Sequence, residues 1–199
     1  MRVLLVGATG TIGGAVGDAL EGAGHEVVRV GHSGGSHHVS LAIKDSIAAL
    51  YDAVGSVDAV ACTAGIAEFG ALDDLTDDAF ERSFSNKVMG QVNLVRLGLG
   101  RLPRGGSFTL TSGTLSVRPT PGTSAVAMAG GALEAFVRAA ALDLEGRYRV
   151  NVVSPGWVAE SRRKMGLEPM PGIWAADLAQ VYLRCVVGDF SGEVIEAER

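Results

Sequence analysis

The chain has 199 residues, 47% apolar and 20% charged, which sets it among ordinary globular proteins and excludes a disordered chain. A net charge of −5 excludes the basic footprint that nucleic acid requires, and two cysteines (Cys62 and Cys185) are too few for a disulfide scaffold. No stretch reads as about twenty predominantly apolar residues, so no membrane span is expected.

Val3–Val6 is an apolar run ending at Gly7, as suits a buried parallel strand. With so few residues before Gly7 there is no room for a leader, and a cytoplasmic setting is expected. Thr11 to Gly22 reads as a helix, Glu26–Gly31 as a second strand and Val39–Ile43 as a weak third one. Asp45 is placed to cap a helix running to Val54. Val57–Cys62 follows as a strand, then a long helix from Asp77 to about Leu99. Ser107–Thr111 is the fifth strand, Thr123–Leu144 a second long helix and Arg149–Val153 the sixth strand. A helix over Asp177–Val187 and a short strand over Glu193–Ala197 complete the chain. This alternation predicts a doubly wound α/β parallel sheet of about seven strands, a Rossmann fold in one domain over residues 1–199. The link from His32 to His38 is too short for a helix, so one face of the sheet should be thinner there.

Chemistry gathers at strand ends. Gly7-Ala8-Thr9-Gly10-Thr11-Ile12-Gly13 sits between the first strand and the first helix. Its glycines permit a tight turn and close approach of a pyrophosphate, and the helix N-terminus offers free N–H groups. An NAD-selective site would carry a carboxylate near the end of the second strand, but no acid occurs between Glu26 and Asp45. His32 and Ser33, with Arg29, are instead candidates to face a 2′-phosphate, so NADP(H) is expected over NAD(H). The histidines lack zinc-site spacing, and no metal is expected.

With Cys62-Thr63-Ala64-Gly65 after the fourth strand, the chain resembles the short-chain dehydrogenases/reductases. Thr111-Ser112-Gly113, Ser154-Pro155-Gly156-Trp157-Val158 and Gly192-Glu193-Val194 extend the resemblance. It implies that Thr63, Ala64, Gly65, Pro155, Gly156 and Val158 stand beside the cofactor and that Ser112 holds a substrate oxygen. Members of the family also use a Tyr-x-x-x-Lys pair for proton transfer. Here Val126 and Gly130 stand in those positions, and no tyrosine occurs between Tyr51 and Tyr148. Only three lysines (Lys44, Lys87 and Lys164) could replace the missing charge.

Lys87 is the candidate. Setting Phe80 at zero and turning about 100° per residue, Phe84 falls at about 40°, Gln91 at about 20°, Val95 at about 60° and Leu94 at about −40°. Lys87, at about −20°, lies inside this stripe, and Asn86, at about −120°, lies outside it. A lysine there either snorkels to the helix edge or projects into a polar cavity. Glu160 stands where the family often has a threonine near the cofactor, with Ser161 as the fallback. A brief substrate-covering segment is expected around 157–175, with Trp157, Met165, Leu167, Met170 and Trp174.

The expected function is an NADP(H)-dependent oxidoreductase with Ser112 and Lys87 in an atypical site, acting on a small carbonyl or alcohol. A non-catalytic NADP(H)-binding sensor or partner protein and a non-redox isomerase or cyclase remain open. The helix with Ala125, Val126, Ala129, Ala132, Leu133, Phe136, Val137 and Ala140 is apolar nearly all round, which suggests a homodimer or homotetramer through the long helices.

Overall fold

The computed structural model describes residues 1–166 and 171–198. Seven parallel strands form one sheet, β1 (Arg2–Val6), β2 (Glu26–Gly31), β3 (His37–His38), β4 (Ala59–Cys62), β5 (Ser107–Thr111), β6 (Arg149–Pro155) and β7 (Val194–Ala197). Their order is β3-β2-β1-β4-β5-β6-β7, the Rossmann arrangement expected from the alternation. The central strands are apolar on both faces because helices cover both sides. Helices α1 (Thr11–Gly22) and α7 (Ala175–Val187) bury Val16, Leu20, Leu178 and Tyr182 against one face. Helices α2 (Lys44–Val54), α4 (Gly90–Gly98) and α5 (Ser124–Asp143) bury Ile47, Leu50, Leu94, Leu133 and Val137 against the other.

Several boundaries differ from expectation. The third strand is His37–His38, not Val39–Ile43. The Val39 N–H closes this short pairing by donating to the Gly31 carbonyl at 3.0 Å, but Val39 and Leu41 lie outside the strand and are buried as core filling. Ile43, not Asp45, is the N-cap of α2, and Asp45 lies in its first turn, where its charge meets the positive helix end. The long helix over 77–99 is not regular. It comprises α3 (Asp77–Ser83), a π-helical turn over Phe84–Met89, and α4. The Thr76 hydroxyl accepts the Ala79 N–H at 3.3 Å and starts the rod. The wide turn changes the phase of the helix, so Phe84 is exposed, outside the stripe that a regular helix predicts.

Helix α5 corrects the membrane expectation. It has 20 residues with a window mean hydropathy of 1.5, enough by length and composition for a span. Its buried side nonetheless packs on the sheet through Ala125, Ala129, Leu133 and Val137 and carries Glu134, as in a core helix. A short helix, α6 (Ala159–Lys164), lies where only a covering segment is expected. Leu167 and Met170 of that segment lie outside the described residues.

Candidate functional site

The sheet reverses its winding between β1 and β4, and the crevice beyond their C-terminal ends is where such folds bind ligands. The Gly7–Gly13 loop leaves β1 there. Gly7 has φ +91°, and a Cβ on it would fall 2.7 Å from Thr63 Oγ1. A Cβ on Gly13 would fall 2.0 Å from the Gly7 carbonyl oxygen. The helix thus starts directly over the turn, and its first N–H groups lack intrahelical partners and suit an anion. Gly10 is the N-cap of α1 with no side chain to bond its N–H groups. Ile12 lines the neighbouring cleft, and Thr9 lies over Gly31. Lys164 Nζ of α6 donates to Thr11 Oγ1 at 3.0 Å, bringing a cation over the loop.

After β4, the Thr63 N–H and hydroxyl both donate to the Val6 carbonyl, at 2.9 and 3.2 Å. This ties the two strand ends together. Ala64 and Gly65 line a cleft of about 150 Å³ with Gly7, Gly31, His32 and Asn86. His32 and Ser33 are exposed, and only His32 is on the wall of that cleft. Arg29 is turned away. Its guanidinium bonds Asp18 at 2.7 Å and Glu21 at 2.9 Å across Gly17 of α1, so it does not face a 2′-phosphate position. Two carboxylates on one helix outcompete the open crevice for this cation.

A second cleft, of about 280 Å³, lies at the ends of β5 and β6. Lys87, Ser112, Pro155, Gly156, Val158, Val126 and Ser161 are on its wall. Phe69 and Trp157 stack there with centroids 6.2 Å apart. The helical rod positions Lys87 through its neighbours. Asn86 Oδ1 accepts the Ile66 N–H at 2.8 Å, holding the loop after β4. Gln91 clasps the end of β5, donating to the Thr111 carbonyl at 2.9 Å and accepting the Thr111 N–H at 2.8 Å. Lys87, one turn before Gln91, passes beside Gly65, where a Cβ would fall 3.1 Å from Lys87 Cγ.

Among the described residues, the Lys87 ammonium has no ion pair or hydrogen bond. Desolvation therefore holds its pKa below the ordinary lysine range. Nearby Cys62 is pushed up to about 12 by burial and stays a neutral thiol at physiological pH. The linkage gives a testable sign. Unfolded chains bind the Lys87 proton more readily than folded ones, so the cost is full below the folded pKa and fades as pH rises toward the ordinary lysine range. A Lys87→Met variant is expected to be more stable than the parent at pH 7, by on the order of 1 kcal/mol. Thermal melts across pH should show that advantage shrinking toward alkaline pH. A constant or opposite difference contradicts it.

Glu134 of α5 is a site residue that the sequence reading missed. It is 4% exposed. Its Oε1 accepts the hydroxyls of Ser112 at 2.9 Å, Ser116 at 2.7 Å and Ser154 at 3.2 Å. The signal was its spacing: Gly130, Glu134 and Val137 fall on one inward helix face. Gly130 itself is packed, since a Cβ there would fall 3.2 Å from Ser116 Cβ. Glu160 caps α7 by accepting the Ala175 N–H at 3.1 Å on both oxygens, which leaves Ser161 on the cleft wall. No tyrosine is on that wall; Tyr51 bonds the Leu94 carbonyl and Tyr182 bonds Thr111.

Comparison with known proteins places the fold in a family. A family model described as enoyl-(acyl carrier protein) reductase matches residues 38–187. Versicolorin reductase stcU of Emericella nidulans is 38% identical over 104 residues, 51% of this chain and 39% of that protein. The short chain dehydrogenase claC of Passalora fulva is 30% identical over 145 residues, 70% of this chain and 52% of that one. The chain thus spans about two-fifths to one-half of these curated relatives. The solved structure of protein lin1944 from Listeria innocua is 38% identical with a TM-score of 0.94, covering 99% of both chains. A small-chain dehydrogenase solved in complex with NADPH is 27% identical with a TM-score of 0.87, covering 99% of this chain and 96% of that one. With the matched family model, the Rossmann strand order and the glycine turn, the chain belongs to the short-chain dehydrogenase/reductase superfamily.

Proposed function

We propose that the chain is an NADP(H)-dependent oxidoreductase acting on a small carbonyl or alcohol, with Lys87 and Ser112 in place of the usual tyrosine–lysine pair. The observation that carries this reading is that Lys87 and Ser112 open onto one cleft with Pro155, Gly156 and Val158. The crevice suits a dinucleotide. A Cβ at Gly7 or Gly13 would fill the space over the turn, and the solved relative with NADPH shares the fold. Gly7, Thr9, Gly10, Thr11, Ile12 and Gly13 would hold the pyrophosphate, helped by Lys164. His32 and Ser33 would face the 2′-phosphate, while Thr63, Ala64 and Gly65 flank the ribose. Pro155, Gly156 and Val158 would meet the nicotinamide, which when bound supplies or accepts the hydride.

In this reading the Lys87 ammonium hydrogen-bonds the substrate oxygen and gives it a proton as charge builds there. Its lowered pKa favours that transfer. Ser112, whose own proton points to Glu134, presents its oxygen to the cleft as an acceptor, suited to the hydroxyl of an alcohol substrate or product. Phe69 and Trp157, stacked on the wall, give the reacting face an apolar side. The test is fluorescence titration with NADPH and NADH, followed by NADPH oxidation on a carbonyl panel. Tighter NADPH binding is expected, and Lys87→Ala should lower turnover by about 10²-fold. Unchanged affinity and turnover in that variant would remove the assignment. Val126 and Gly130 favour a second reading, a non-catalytic NADP(H)-binding sensor, which predicts binding without turnover. Product formation without cofactor consumption would point to an isomerase or cyclase.

The same reading includes a homodimer or homotetramer. Met128 and Leu142 remain exposed on α5, at 42% and 77%, and are available for a partner copy. Sedimentation as a monomer at high concentration contradicts that part.

A further inference from the structure

We propose that Lys87 is an amine nucleophile that condenses with apolar aldehydes entering the 280 Å³ cleft, with Ser112 and Glu134 moving the protons. The proposal needs no cofactor and stands apart from the oxidoreductase reading.

Three features combine. First, Lys87 is on the wall of a cleft that is largely apolar, including Ile12, Ala67, Phe69, Leu115 and Val126. Such a wall takes up an apolar carbonyl compound and disfavours the ammonium form. Second, among the described residues no ion pair or hydrogen bond holds the Lys87 charge. From β4, Cys62 is a neutral thiol. From α5, Glu134 Oε1 is occupied by three serine hydroxyls and makes no ion pair with Lys87. From α6, the Arg162 guanidinium lies over the Trp157 ring, 5.4 Å from its centroid, and Lys164 reaches Thr11. The lowered lysine pKa agrees with this setting. Third, a proton acceptor shares the cleft. Ser112 is on the cleft wall and donates its hydroxyl to a buried carboxylate, the pairing by which a serine passes a proton inward as it receives one.

The step balances without an oxidant. The neutral amine attacks the carbonyl carbon, an N–C bond forms and the carbonyl π pair moves to oxygen. Ser112 takes a proton from nitrogen while passing its own to Glu134, and the relay returns it to oxygen, giving a carbinolamine. The C–O bond then breaks, the oxygen leaves as water with the second amine proton, and an imine remains.

The chain's three lysines make the test simple. The full-length protein, without cofactor, is incubated at pH 7 with benzaldehyde and sodium cyanoborohydride, and benzylated lysines are quantified by peptide mass spectrometry. Lys87 is expected to be labelled several-fold faster than Lys44 or Lys164, because the apolar cleft both gathers the aldehyde beside it and disfavours its ammonium form. Lys87 labelling should also persist to lower pH than that of the other two. Glu134→Gln should slow Lys87 labelling several-fold and leave Lys44 and Lys164 unchanged. Equal labelling of all three lysines in the parent protein overturns the nucleophile. An unchanged rate in Glu134→Gln overturns the relay. A protein that binds NADPH but labels evenly keeps the oxidoreductase reading and loses this one, and the converse result does the reverse.

Discussion

A Gly13→Ala variant is expected to lose NADPH binding and to be destabilised by about 3 kcal/mol or more. The added methyl would sit 2.0 Å from the Gly7 carbonyl oxygen, 2.6 Å from its carbon and 2.8 Å from Thr63 Oγ1. Two of these atoms are backbone, and Thr63 is itself bonded to Val6, so no side chain can swing aside. The N-terminus of α1 must move off the turn, which spoils both the packing and the anion-facing N–H groups. Gly14→Ala is the control. Nothing lies within 4 Å of its Cβ, and glycine in a helix costs about 0.5–1 kcal/mol relative to alanine, so that variant should be at least as stable as the parent. Urea denaturation and NADPH titration of both variants check the pair. Parent-like binding by Gly13→Ala contradicts the close approach.

The second large effect belongs to Glu134. Glu134→Ala removes the common acceptor of Ser112, Ser116 and Ser154, two of which are themselves buried. Hydroxyls left without a partner cost about 1–3 kcal/mol each, so a loss of about 3–5 kcal/mol is expected. Glu134→Gln keeps an acceptor oxygen and should cost less than half as much. Denaturation midpoints of the two variants decide the matter. A cost below about 1 kcal/mol in Glu134→Ala would mean that water replaces the carboxylate.

The fold was legible because each central strand is an apolar run closed by glycine or a small polar residue. The misses have local causes. β3 is only two residues long, too short for any periodicity, and the apolar Val39 and Leu41 beyond it drew the strand to the wrong place. The π-helical turn is invisible to a fixed 100° count, which therefore misplaced Phe84. The same count still brought Lys87 and Gln91 together, and both face the strand ends, Lys87 on the cleft wall and Gln91 on Thr111. Arg29 was misassigned because its partners, Asp18 and Glu21, lie on another element and only the fold brings them within 3 Å. Glu134 escaped notice because a lone acid in an alanine-rich helix reads as a solvated position. Its three hydroxyl partners come from separate segments, at 112, 116 and 154.

The turn over Thr114–Ser116, which rests on Gly130, has a consequence for redesign and for descent. A side chain written back at position 130 would press its Cβ on Ser116, 3.2 Å away, while the Gly113 main chain stays at ordinary contact distance. Ser116 would have to give by a few tenths of an ångström, and it is one of the hydroxyls that Glu134 holds. Position 126 carries no such restriction, since Val126 faces the open cleft. A path back to the ordinary site is therefore easier to begin at the tyrosine position than at the lysine position, where the serine cluster must shift first.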